Sequence, residues 1–185
     1  MALGTKKNSH ELELLYSCYI KVNDIIIFMK VLPDIQDQKD ASFGEEIGIG
    51  RSMPIKTFGS GGNRTISWGI TFIAETEAEA INNIVHMRLL QSCTYPRNFS
   101  GYALPYAPPT ILKIRCGDLL SSSNPANPER ELCVVLKNYN VKFPKESPWM
   151  DTTYIPYKFE MNLSFDAVYA TDNLPGQERI AQYGG

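Results

Sequence analysis

The chain has 185 residues, with 18 basic side chains against 20 acidic ones and a net charge of −2. At 20.8 kDa it is the size of one domain, and a chain this long buries roughly 70% of its surface on folding, so no disulfide or metal staple is required. Its 43% hydrophobic and 21% charged residues exclude a wholly disordered chain, and its slightly acidic balance makes it a poor binder of nucleic-acid backbones.

Residues 1–15 read as a peripheral arm. They reach His10, Glu11 and Glu13 before an apolar run can form, so they do not have the pattern of a secretory signal. Position 2 is Ala2, where myristoylation needs glycine. Residues 24–32 are β-branched and apolar and stop at Pro33, which predicts a strand buried on both faces. This longest apolar run falls far short of the about 20 residues of a membrane-spanning helix, so no membrane insertion is expected. Residues 34–46 carry Asp34, Asp37, Asp40, Glu45 and Glu46 against Lys39, and predict a long acidic loop. Residues 47–58 read as extended, and Gly59-Ser60-Gly61-Gly62-Asn63 as a flexible hairpin turn. After it, Ile66, Trp68, Ile70, Phe72 and Ala74 alternate with Thr65, Ser67, Gly69 and Thr71, the period of a half-buried strand.

A helix follows. Thr76-Glu77-Ala78-Glu79 is a capping box, with acids at the start and His86 and Arg88 toward the end. Ile81, Ile84, Val85 and Leu89 share one face at helical spacing, and Pro96 stops the helix near Cys93. Residues 96–109 form a Pro- and Tyr-rich connection without periodicity, a kind of loop that is usually functional. Residues 110–116 read as a strand with Leu112, Ile114 and Cys116 inward, and residues 121–130 as a solvated loop. Residues 132–143 return as a strand whose second half sets Tyr139, Val141 and Phe143 against Asn138, Asn140 and Lys142. In the last strand Phe159, Met161, Leu163 and Phe165 alternate with Lys158, Glu160, Asn162, Ser164 and Asp166, and the tail 172–185 has no periodicity. One helix cannot cover both faces of a parallel sheet. The expected fold is therefore mainly β, an antiparallel β-sandwich or barrel with one flanking α-helix, in a single domain with its core at about residues 16–168.

The chemistry-bearing residues are sparse. Cys18, Cys93, Cys116 and Cys133 include no pair within four residues, which excludes a CxxC site, and the thiols are read as reduced. His10 and His86 are the only histidines, and no GxSxG elbow is present. His86 and Cys93 stand seven apart, but no cationic cluster flanks Cys93, so a structural thiol is the expectation. Gly48-Ile49-Gly50-Arg51 and Gly59-Ser60-Gly61-Gly62 lack the Lys-Ser or Lys-Thr of a phosphate loop and read as turn glycines with positive φ. The 34–46 segment lacks calcium-loop spacing. No catalytic, cofactor-binding or metal-ligating residue is expected.

The run from Ile66 to Thr76, the helix ending Leu89-Leu90-Gln91-Ser92-Cys93-Thr94-Tyr95-Pro96-Arg97, then Ala107-Pro108-Pro109, residues 112–118 and the closing strand 156–165 together resemble the tail-tube-type proteins of contractile-tailed bacteriophages, especially the baseplate proteins that initiate the tube. The resemblance covers about residues 47–168 and rests on motif order. It implies a homo-hexameric ring around a channel, neighbours among tail tube, baseplate hub and wedge proteins, location in the virion after assembly in the host cytoplasm, and DNA passing through without specific binding. It implies no catalytic residue or cofactor. On that basis Asp34, Asp37, Asp40, Phe43, Glu45 and Glu46 are expected at the interface between stacked rings. Lys158, Glu160, Asn162, Ser164 and Asp166 are expected to line the channel, or else to meet solvent outside the ring. The alternatives are a major tail tube or secretion-system tube protein and, in other classes, a small cysteine hydrolase or a carbohydrate-binding β-sandwich.

Overall fold

The computed structural model describes residues 18–47, 49–50, 52–98, 106–117, 119–121 and 130–169. Within them lie β1 (Cys18–Val22), β2 (Ile25–Phe28), β3 (Asp34–Glu46), β4 (Ile55–Ile73), α1 (Glu77–Ser92), β5 (Arg97–Asn98), β6 (Tyr106–Ala107), β7 (Leu112–Cys116), β8 (Leu132–Lys142) and β9 (Lys158–Ala167). Seven strands form one sheet in the order β2-β1-β7-β8-β9-β4-β3, and every neighbouring pair is antiparallel. The expectation of a mainly-β antiparallel fold with one helix holds for the described residues.

Period-two patterning builds the sheet. In β1, Cys18, Ile20 and Val22 point inward, and Tyr19 and Lys21 outward. The two-residue loop Asn23-Asp24, with Asn23 at φ 53°, returns the chain as β2. β9 turns Phe159, Met161, Leu163 and Phe165 inward, and β4 does the same with Ile66, Trp68, Ile70 and Phe72. The ring of Trp68 meets Phe165 edge-on at 6.1 Å, and Phe72 stacks on Phe159 at 4.8 Å. In β8, Leu132, Val134 and Leu136 face inward, and a bulge between Leu136 and Asn138 hands the inward phase to Tyr139 and Val141.

The helix covers only part of this face. Seven strands at about 4.8 Å spacing span roughly 29 Å, whereas a helix is about 10 Å wide. Ile20, Ile66, Trp68, Ile114, Val134, Met161 and Phe165, spread across the sheet, are nonetheless all 0% exposed. The sheet therefore curls over its own inward face, and α1 closes the side it leaves open with Met87 and Leu90. A second small cluster of Ala74, Ala80 and Met150 fastens the start of α1 to the segment before β9, where the Ala74 amide donates to the Tyr157 carbonyl at 2.8 Å.

Residues 24–32 are not a strand buried on both faces. β2 is an end strand of the described sheet with only Ile27 buried, because only one of its faces meets the core. Residues 34–46 are not a loop but the 13-residue strand β3, and residues 55–73 are one 19-residue strand rather than two segments joined by a turn. The glycines at 59, 61 and 62 lie within β4, and the chain actually reverses at residues 47–54. Of the glycines expected at positive φ, Gly48 lies outside the described residues, and among the described ones only Gly50 has it, at 84°.

α1 starts where expected, with Thr76 as N-cap accepting from the Glu79 amide at 3.3 Å. The Glu79 carboxylate accepts from the Glu75 amide and from Lys30, both at 2.9 Å; the Lys30 bond is the larger cause of its pKa lying below the usual value. The buried stripe is Ala80, Met87 and Leu90, with Ile84 and Leu89 partly covered, whereas Ile81 and Val85 are exposed. No basic residue falls in the last turn, so Arg88 and His86 do not complement the helix end. The ends of the 96–109 connection pair as the two-stranded sheet β5-β6. Residues 1–17, 99–105, 122–129 and 170–185 hold the arm, most of that connection, the solvated loop and the tail, and lie outside the described residues.

Candidate functional site

The most unusual surface is the hairpin arm made by β3 and β4. Near the body it is locked by Arg64, which sits at the end of the inward row of β4 and is 7% exposed. Its Nε donates to Asp37 Oδ1 at 2.9 Å, Nη2 donates to Oδ2, and Nη1 donates to the Tyr169 hydroxyl at 3.3 Å. This is the bidentate geometry that guanidinium and carboxylate favour. Beyond Arg64 both strands are exposed, through residues 40–46 and 55–63. At about 3.4 Å per residue the seven residues 40–46 carry the arm on the order of 24 Å past the body.

Two bulges interrupt the arm's register, between Lys39 and Ala41 and between Ser42 and Phe43. The extra residues fall in the glycine-rich stretch of β4, where side chains would collide with the partner strand. A Cβ on Gly62 would stand 3.1 Å from the Asp40 carbonyl oxygen, and one on Gly59 3.3 Å from that of Ser42. Past the bulges Phe43 and Phe58 pair across the strands, edge to face at 5.8 Å, and both rings remain more than half exposed. The turn adds Ile47, Ile49 and Met53, each over three-quarters exposed. The arm ends in apolar side chains that nothing in the described chain covers.

Of the six residues expected at a stacking interface, Asp34, Asp37, Asp40, Phe43, Glu45 and Glu46 all lie on β3, but not as one acidic surface. Asp37 is committed to Arg64, and Glu45 faces Lys56 at 3.9 Å. The acidic run is thus partly matched by the basic residues of the strand beside it. Asp34 lies near the body, opposite Gly69.

Lys158, Glu160, Asn162, Ser164 and Asp166 do share one face, the outward side of β9. Across the register, Asn162 stands between Asn140 and Gly69, Ser164 between Asn138 and Ser67, and Glu160 opposite Lys142. Asp166 accepts from Thr65 Oγ1 at 3.0 Å and pairs with Lys137 at 3.5 Å. These five residues carry two acids against one lysine, and the excess is offset by Lys137 and Lys142 of β8. The centre of the face is a shallow hollow of about 340 Å³ lined by Asp34, Gln36, Ser67, Asn138, Asn140 and Asn162. Amides and hydroxyls dominate it, with one carboxylate, that of Asp34, and no basic side chain.

One ionic cluster went unseen in the sequence. Glu131, 1% exposed, precedes β8 and accepts from the Tyr19 hydroxyl at 3.0 Å; Lys113 lies 2.9 Å and Lys21 3.6 Å from its carboxylate. Only strand pairing brings residues so distant in sequence together. The signal was the alternation of Tyr19 and Lys21 with Cys18, Ile20 and Val22.

Cys93 and His86 lack the setting of a catalytic pair. The Cys93 thiol donates to the Leu89 carbonyl at 3.2 Å, and burial pushes its pKa up. Burial pushes the His86 pKa down. Both shifts favour the neutral forms, whereas a Cys–His catalytic pair works as a thiolate beside an imidazolium. His10 lies outside the described residues. Among the described residues no group of three or more His, Cys, Asp or Glu side chains is placed to hold a metal ion, and no helix is long and apolar enough to cross a membrane.

No protein-family model matches the chain, and no curated protein does. Among solved structures, a chain of the virion of a native gene transfer agent particle is similar over 84% of this chain and 93% of its own, at 8% identity and a TM-score of 0.41. A chain of the tail of an empty gene transfer agent particle, obtained by helical refinement with C6 symmetry, is similar over the same shares at 8% identity and a TM-score of 0.40. A likeness this coarse fixes no shared function.

Proposed function

We propose that this chain is a structural virion protein of a contractile phage tail, forming a six-membered ring of the baseplate or tail tube that initiates or extends the tube. The observation that carries the reading is the hairpin arm. A single chain gains nothing by holding Phe43, Phe58, Ile47, Ile49 and Met53 in water at the end of a paired strand. A neighbouring subunit or the next ring covers them in an assembly, and the arm's apolar end rather than its acidic run makes the contact. Asp40, Glu45 and Glu46 then set the rim of that contact, with basic residues of the neighbour opposite them. The motif order from Ile66 to Phe165 supports the same family. Tail tube, baseplate hub and wedge proteins are the neighbours, within a virion assembled in the host cytoplasm.

The outward face of β9 lines the channel in this reading. Amides and hydroxyls with paired charges offer few unopposed cations to phosphates, so DNA passes without being held. The role is structural, with no substrate and no cofactor.

Electron microscopy of the purified full-length protein tests the proposal, with six-fold rings around a central hole as the expected result. A second test uses a variant in which Asn-Gly replaces residues 42–60, joining Ala41 to Gly61 across their existing pairing. The body of this variant should melt within a few degrees of the parent, since none of the described residues among those exchanged belongs to the core, and its rings should fail to stack. A protein that stays monomeric at high concentration and with its tail neighbours present would overturn the ring. Normal stacking of the armless variant would place the contact elsewhere.

A further inference from the structure

We propose that Cys18 and Cys116 are a redox-active pair that closes into a cross-strand disulfide, with a small-molecule disulfide as the oxidant. The two residues are direct partners in the β1–β7 register, and their sulfurs approach to 2.6 Å. Their backbones spend their hydrogen bonds on the sides facing away from each other. The Cys18 carbonyl accepts from the Met29 amide, and the Cys116 amide donates to the Leu120 carbonyl, both at 3.2 Å. This makes them a non-hydrogen-bonded pair, the kind whose Cα atoms come within about 4.5 Å with side chains closest together. That separation lies inside the range a disulfide spans, so closure needs no backbone movement.

The pair is also asymmetric in the way thiol–disulfide exchange requires. Cys18 is wholly buried, whereas Cys116 is half-buried and reachable. The Cys18 thiol donates to the Cys116 sulfur, which holds the Cys116 pKa below its usual value against the effect of burial, and holds that of Cys18 above it. Cys116 therefore attacks first. Its thiolate displaces one thiolate from the small disulfide and forms a mixed disulfide. Cys18 then gives up its proton, attacks the Cys116 sulfur and expels the second thiolate. Two electrons pass from the protein to the oxidant, two protons leave the cysteines, and two small thiols are released. The remaining cysteines do not compete within the chain. Cys93 ends α1 with its thiol on the Leu89 carbonyl, and Cys133 sits opposite Lys113 on the other side of the sheet.

Positions 98 apart in sequence become covalently joined, which constrains the unfolded chain strongly. A reducing compartment leaves the pair open, and an oxidising one locks β1 to β7.

The test is oxidation of the folded full-length protein with oxidised glutathione, alkylation of the remaining thiols under denaturing conditions, and peptide mapping. Two of the four thiols should become unreactive, with a Cys18–Cys116 linked peptide and no retained glutathione. The melting temperature should rise by about 10 °C and fall back on reduction. A Cys116→Ser variant, whose altered side chain is only half-buried, should melt like the reduced parent and show no rise. Four reactive thiols after oxidation, glutathione held on Cys116, or links only between molecules would each overturn the proposal. Should Cys116→Ser fail to fold, the peptide map of the unaltered protein decides alone.

Discussion

Arg64 shows how one side chain joins body and arm. It occupies an inward position in β4 that Ile66 and Trp68 continue, and burying a guanidinium there is tolerable only with a partner. Asp37 and Tyr169 supply one. Breaking a buried pair from one side leaves an uncompensated charge and costs several kcal/mol. The Asp37 side chain is 39% exposed, so water softens that loss. Asp37→Ala is expected to cost about 2 kcal/mol, read as a lower urea midpoint, with Asp37→Asn recovering part of it. An unchanged midpoint for Asp37→Ala would mean that Tyr169 and water suffice for Arg64. The sequence offered Asp37 as one more acid in a run of five. Its pairing was illegible because Arg64 is 27 residues away and only the register brings the two together.

At the scale of elements, β4 is where sequence patterning and structure part most clearly. Gly59-Ser60-Gly61-Gly62-Asn63 has the composition of a turn, yet it continues a strand through two bulges. Glycine serves both uses: it permits a turn, and it lets a partner backbone come close. Local sequence does not tell them apart, because the deciding contact is with Asp40 and Ser42 on another strand. Gly62→Val puts its branches against the Asp40 carbonyl, a rigid neighbour. The expected result is faster amide exchange in residues 40–60, while core amides keep their protection and global stability falls by less than about 1 kcal/mol, as for changes outside the core. Equal loss of protection in core and arm would show that the two fold as one unit. In β8, read from the sequence as one uninterrupted strand, the bulge nonetheless has a local trace. Leu132, Val134 and Leu136 keep one phase and Tyr139, Val141 and Phe143 the other, and only an extra residue reconciles them.

For the whole molecule, the curled sheet separates a dry inward face from an outward face of amides and hydroxyls. If that outward face lines a channel, a cation added there is repeated by the symmetry of the ring. Asn162→Arg suits the test because the hollow beside Gly69 has room for the longer side chain. The isolated protein should melt within about 0.5 kcal/mol of the parent, as exposed substitutions do. Assembled tubes should retain DNA at low salt and release it as salt rises, because each added cation on phosphate releases counterions. Unaltered DNA passage through Asn162→Arg tubes would place this face on the outside.

The sequence by itself determined β7, β8, β9 and the body half of β4, the helix with its Thr76 cap, the inward rows of β4 and β9, and the mainly-β class. Each of these follows from a period or a cap that a single segment carries alone. Tertiary structure decided which apolar stripe of α1 is buried. Ala80, Ile84, Met87 and Leu90 are as regularly spaced as Ile81, Val85 and Leu89, and packing against the sheet and Met150 selects between them. It also turned residues 34–46 into a strand, because Gln36, Gln38 and Ser42 have no strand period of their own and β4 supplies their partners. Cys18 and Cys116 were two unremarkable thiols until the β1–β7 register set them face to face. A period is local and can be read along the chain, whereas a pairing depends on the residue across the sheet, which the chain does not name.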